Sequence, residues 1–200
     1  MKNLSFFLIS NLLLLSCAHQ IKFKDNAEER AFEINKIIHG GDINTLRCTP
    51  DIHVYKNANW RGETPLQAAV IRNNFEMVKF LIAIGANNSN QKLIYHATAN
   101  DANGSLEIIK LLHQSGCSVN EVGWRGDNAL FCAILQDNLE IAEYLVAHGA
   151  DPYTRLQGGD ILLNYSKSKE MYIILTTSNP SKSQHNHSAF HVHMRVKINE

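Results

Sequence analysis

The sequence predicts an all-α fold of about four to five helix-turn-helix units in tandem, followed by a C-terminal tail. Three observations carry that expectation. The segment Trp60-Arg61-Gly62-Glu63-Thr64-Pro65-Leu66 recurs as Trp124-Arg125-Gly126-Asp127-Asn128-Ala129-Leu130, an offset of 64 residues or twice 32. A second segment occurs three times, as Phe75-Glu76-Met77-Val78-Lys79-Phe80-Leu81, Leu106-Glu107-Ile108-Ile109-Lys110-Leu111-Leu112 and Leu139-Glu140-Ile141-Ala142-Glu143-Tyr144-Leu145, at spacings of 31 and 33 residues. Each copy is followed at one fixed distance by a glycine, in Gly85-Ala86-Asn87, Gly116-Cys117-Ser118 and Gly149-Ala150-Asp151. Periods of this size mark stacked supersecondary units.

Composition narrows the function classes. The chain has 200 residues, 44% of them apolar, with 19 basic and 19 acidic side chains. That apolar content supports a packed core and excludes disorder over most of the chain. A formal net charge of zero argues against a nucleic-acid binder, which would show a basic face. No uninterrupted apolar run reaches the ~20 residues of a spanning helix, which excludes a multi-pass membrane protein.

The chain begins with Met1-Lys2 and a short apolar stretch over residues 4–15, interrupted by Ser5, Ser10 and Asn11. A basic start before a short apolar region is the pattern of a secretory signal. It ends in Leu14-Leu15-Ser16-Cys17, which resembles the lipobox of bacterial lipoproteins. Residues 1–16 are then the signal peptide, Cys17 is the lipidation site carrying palmitate-type acyl chains, and 17–26 form a lipid-anchored linker. Two other readings stay open, ordinary cleavage after Ala18 and an uncleaved anchor. Ala18 after the cysteine is not Asp, which by the same resemblance favours the outer membrane, facing the periplasm. The alternative is a soluble periplasmic or secreted protein. Removing residues 1–16 takes away Lys2 and no acid, so the mature balance is 18 − 19 = −1.

In the thrice-repeated segment the apolar residues fall at i, i+2, i+3, i+5 and i+6, a stripe too broad to leave in water. A single helix pair cannot cover it, so neighbours must stack and share one elongated core. Thr64 is a good N-cap and Pro65 suits the first helical position. Gly85, Gly116 and Gly149 stand where a helix ends in a left-handed residue.

Taken together these motifs resemble ankyrin repeats, and the resemblance covers about 27–178. It implies a solenoid in which each unit has a hairpin-like loop, a first helix, a second helix and a terminal Gly-Ala-Asp. The unit near 58–90 matches closely, with Gln67 in place of the usual His. The unit near 91–121 offers Lys92-Leu93-Ile94 instead of Thr-Pro-Leu and carries about three extra residues around 101–104. The unit near 122–155 starts with Asn-Ala-Leu. A degenerate first unit takes 27–38 as its first helix and Asp42-Ile43-Asn44-Thr45-Leu46 in its second. Residues 159–165 read as a truncated fifth.

No dinucleotide fingerprint, phosphate-binding loop, nucleophile elbow or zinc-protease motif is present. The family acts by binding proteins, so an enzyme is not expected and neither is a cofactor. His39, His113 and His148 lie near helix ends and read as C-terminal caps. Cys48, Cys117 and Cys132 read as small core positions rather than a disulfide framework.

The resemblance also implies that loop tips and first helices line a concave binding face. That places Trp60, Arg61, Glu63, Trp124, Arg125 and Asp127 at tips, and Ile71, Arg72, Leu135 and Gln136 just past first helices. Trp and Arg often dominate interface energies. The competing reading has each Trp packing on its neighbour's loop with Arg covering it. The expected partner is another, unidentified protein, with the membrane reached through the lipid and no nucleic acid. The expected role is an immunity protein against a toxic effector, or a stabiliser or regulator of a periplasmic enzyme.

The tail, 179–200, holds His185, His187, His191 and His193, so metal handling is a further alternative. It has no cysteine or carboxylate pair to close a site, and Phe190, Val192, Met194, Val196 and Ile198 alternate with polar residues. That period of two reads as a single strand on a flexible link, with metal affinity only adventitious.

Overall fold

A computed structural model of the protein describes residues 27–89, 92–100, 106–123 and 126–177. The helices are α1 (Ala27–Gly40), α2 (Ile43–Cys48), α3 (Ile52–Tyr55), α4 (Pro65–Ile71), α5 (Phe75–Ala83), α6 (Leu93–Ala99), α7 (Leu106–Gln114), α8 (Ala129–Gln136), α9 (Leu139–Ala147) and α10 (Lys169–Thr177), with a 3-10 turn at Leu162–Tyr165. Among the described residues there is no strand, only isolated bridges at Trp60–Glu63, Val122–Asn128 and Arg155–Ile161. No described helix is long and apolar enough to cross a membrane. The signal peptide, Cys17, the extra residues around 101–104 and the tail lie outside the described residues.

Helix starts follow from local hydrogen bonding. The first backbone N–H groups of a helix have no partner inside it, and short polar side chains supply one. Asp42 Oδ1 accepts from Thr45 N at 3.0 Å and Thr64 Oγ1 from Gln67 N at 3.2 Å. Asn74, Asn128 and Asn138 do the same for α5, α8 and α9 at 3.1, 2.9 and 3.1 Å. Behind the second helices Gly85, Gly116 and Gly149 take φ of 76°, 99° and 97°, a region that disfavours a Cβ.

The second helices bury the same three positions each time: Met77, Val78 and Leu81 in α5, Ile108, Ile109 and Leu112 in α7, Ile141, Ala142 and Leu145 in α9. The broader stripe read from sequence is therefore only partly buried. Phe75 and Phe80 stay half-buried, with Lys79 Nζ 6.0 Å and Arg47 Cζ 5.8 Å from their ring centroids.

The chain divides into two compact units, one running through Leu93 with Gln114–Gly116, the other Ile94–His113 with Cys117 onward. In the first, α1 packs on α2 and α4, and α4 on α5. Its i, i+3, i+7 stripe of Ala31, Ile34 and Ile38 supplies the α1 side of the core. In the second, α9 lies against both α8 and α10. Met171 and Leu175 bury α10. The extra helix α3, absent from the sequence expectation, starts after Asp51, whose φ is 58°. Of the cysteines expected in the core, Cys117 is buried and Cys132 half-buried, whereas Cys48 is exposed at the end of α2.

Candidate protein-binding surface

In the first unit the tip is a two-residue turn. Trp60 N donates to Glu63 O and Glu63 N to Trp60 O, both at 3.0 Å. Arg61 and Gly62 between them have φ of 53° and 86°, the double left-handed pair that a tight hairpin turn needs. Asn59 Oδ1 accepts from Gly62 N at 2.7 Å and steadies the turn.

This turn lays the Trp60 ring against Phe32 of α1, with centroids 5.3 Å apart and planes at 55°. The Arg61 guanidinium lies 4.8 Å from the indole centroid. Trp60 is thus half-buried between its own arginine and a neighbouring helix, not the neighbouring loop that the packing reading expected. The packing leaves an apolar face in water all the same: Phe32 is 41% and Ile71 36% exposed.

Beside the aromatic pair runs a polar chain. Arg72 Nε donates to His39 Nδ1 at 2.7 Å, and His39 Nε2 lies 3.3 Å from Glu63 Oε2. An arginine Nε–H can only donate, so Nδ1 must carry the lone pair. The proton then sits on Nε2, facing the carboxylate, and a neutral imidazole joins Glu63 to Arg72. His39, read from sequence as a helix cap, links three elements. Phe32 and this role of His39 are not among the residues expected from sequence; their i, i+7 spacing on α1 was the available signal.

In the second unit the outcome differs. Trp124 and Arg125 lie outside the described residues. Asp127 was expected at an exposed tip, but its Oδ2 accepts from Tyr95 Oη at 3.1 Å and the residue is half-buried. Gln136 was expected to face a partner; its Nε2 instead donates to Thr98 O at 2.9 Å, so the amide is spent holding α8 to the end of α6. Leu135 is 40% exposed, as expected, while its carbonyl accepts from Lys167 Nζ. His148 does cap α9, its Nδ1 2.7 Å from Tyr144 O. His113 instead reaches across to α9, its Nδ1 2.9 Å from Tyr144 Oη. Burial holds the Tyr144 phenol above its ordinary pKa, so it stays a neutral hydroxyl.

The family model for ankyrin repeats (three copies) matches residues 27–122 and 85–155. The chain is 32% identical over 130 residues to the ANK repeat-containing protein nipk-1 of Caenorhabditis elegans, covering 54% of this chain and 21% of that protein. It is 34% identical over 122 residues to the Transient receptor potential cation channel subfamily A member 1 of Homo sapiens, covering 57% of this chain and 11% of the channel. A third relative is the Mitochondrial disaggregase of Bos taurus, 29% identical over 128 residues, 61% of this chain and 19% of that protein. The chain therefore spans about a tenth to a fifth of the length of these relatives. With the family model covering most of the described helices, and those helices capped and closed as its repeats require, the chain belongs to the ankyrin-repeat family, whose repeats serve as protein-binding scaffolds.

Proposed function

We propose that this chain is an exported, lipid-anchored scaffold that binds another protein in the bacterial envelope through the exposed face of its first unit. The observation that carries the binding surface is the Phe32–Trp60 pair standing beside Arg61 and the Arg72–His39–Glu63 chain. An aromatic pair flanked by guanidinium groups suits a partner segment that presents an apolar side chain next to carboxylates. Each arginine is already oriented by a neighbour, which lowers the ordering cost of binding. The export half of the reading rests on Met1-Lys2, the apolar stretch and Leu14-Leu15-Ser16-Cys17. A diacyl anchor on Cys17 would hold the domain at the membrane, on the periplasmic side of the outer one. The partner is then a toxic effector neutralised by an immunity protein, or an envelope enzyme that the scaffold stabilises or regulates; both roles need a binder without catalysis.

Two measurements test it. Cys17→Ser should abolish palmitate labelling and release the protein from membranes; an unlabelled, fully soluble wild type defeats the anchor. Phe32→Ala and Arg72→Glu should each weaken the captured partner by about 2 kcal/mol, roughly thirtyfold in Kd, with little change in melting midpoint. A partner held equally by wild type and both variants places the binding surface elsewhere.

A further inference from the structure

We propose that His113 and His148 form a two-imidazole site for a borderline transition-metal ion of the zinc, copper or nickel class. The two rings, from α7 and the C-terminal cap of α9, have centroids 4.9 Å apart and planes at 83°. Zinc sits about 2.0–2.1 Å from a ligating nitrogen, which puts each ring centroid about 3.2 Å from the ion and two rings at a tetrahedral angle roughly 5 Å apart. The observed centroid separation matches that distance.

The hydrogen bonding prepares the same nitrogen on each ring. His148 Nδ1 is 2.7 Å from the Tyr144 carbonyl, which can only accept, so Nδ1 carries the proton and Nε2 the lone pair. His113 Nδ1 is 2.9 Å from Tyr144 Oη. In the tautomer that donates Nδ1–H to the phenol oxygen, its Nε2 is likewise a lone pair. Tying one imidazole nitrogen to a carbonyl or hydroxyl, with the other left for the ion, is the usual outer shell of a metal-bound histidine. Tyr144 supplies both ties, and its ring stacks on His148 at 4.0 Å. His148 is exposed and His113 half-buried, so an ion can enter and water can fill the remaining positions. Two features limit the affinity. Among the described residues no set of three or more His, Cys, Asp or Glu side chains could hold a metal. Lys110 Nζ lies 5.8 Å from the Tyr144 ring centroid, so a cation is nearby. With two protein ligands and water in the remaining positions, this is an open site rather than a closed structural one. Metal there would join the outer helices of consecutive repeats and stabilise the folded chain by mass action.

The test is calorimetric titration of zinc into the full-length chain with His185, His187, His191 and His193 replaced by Asn, so that the tail contributes nothing. The expected result is one saturable site that raises the melting midpoint, weakened tenfold or more by His113→Gln and by His148→Gln alike. Circular dichroism of the metal-free variants checks that they fold. Should a variant fail to fold, nitrogen NMR of the parent decides, with zinc expected to shift the Nε2 resonances of both imidazoles and no others. No saturable binding, binding that survives either substitution, or NMR shifts confined to other histidines overturns the proposal.

Discussion

Asn35 sits on α1 with 1% of its surface exposed, in line with the core residues Ile34 and Ile38. Among the described residues neither atom of its amide finds a hydrogen-bond partner. A buried amide left unpaired costs on the order of 1–3 kcal/mol, whereas an apolar side chain of like volume gains from the same place. Asn35→Leu should therefore raise the urea midpoint; a fall would show that the amide is satisfied in solution. Gly123 is constrained in the opposite way. A Cβ there would stand 2.7 Å from carbons of the Tyr95 ring and closer still to Asp127 Oδ1. Because Tyr95 and Asp127 are bonded to each other, neither can retreat without loosening the other. Gly123→Ala should lower stability by about 1–3 kcal/mol, the range for overpacking, and an unchanged midpoint would show that the loop yields. Neither constraint was readable in advance. Asn35 reads in sequence as an ordinary polar helix residue, and Gly123 as a loop glycine beside a repeated Trp-Arg.

Among the elements, α2 has the most explicit electrostatic start. The Asp42 carboxylate accepts from the Thr45 hydroxyl and from the Thr45 N–H, and these two bonds hold its pKa below the ordinary aspartate value. A carboxyl depressed in the folded state contributes its cap fully above the ordinary value and loses it as pH falls through the lowered one. The Thr45 amide resonance should therefore titrate at a pH below that of an unstructured aspartate. Asp42→Asn should keep the cap while removing that titration. A Thr45 midpoint at the ordinary aspartate value would refute the cap's role in solution. The same logic of one polar oxygen per helix start runs through Thr64, Asn74, Asn128 and Asn138. Of these, only Thr64 before Pro65 is expected from sequence. Asn74 and Asn138 each precede a Phe-Glu or Leu-Glu helix start in equivalent repeat positions, a regularity visible in the sequence once the repeats are aligned.

At the scale of the whole molecule, each compact unit carries buried core leucines of its own. Leu81 and Leu145 occupy equivalent positions in α5 and α9 and are both fully buried, one in each compact unit. Leu81→Ala and Leu145→Ala should each cost about 2–5 kcal/mol, whereas Val54→Ala, at 71% exposure, should stay within about 0.5 kcal/mol. Urea denaturation of the three variants checks this, and a silent Leu145→Ala would mean that the second unit's core does not hold as drawn. Sequence alone determined the repeat period, the helix pairs, the glycine ends and the apolar stripe of each second helix, of which the structure buries three positions. Those features are local or periodic, and short-range sterics and a 3.6-residue turn suffice to produce them. Which exposed side chains remain available to a partner was decided by tertiary structure alone. Arg72 and Glu63 meet through His39 of another helix, Trp60 rests on Phe32, and Asp127 and Gln136 turn inward to Tyr95 and Thr98. Each of those outcomes depends on a neighbour roughly 24 to 38 positions away, brought close only when the repeats stack, and no local pattern encodes which of two polar partners a side chain then reaches.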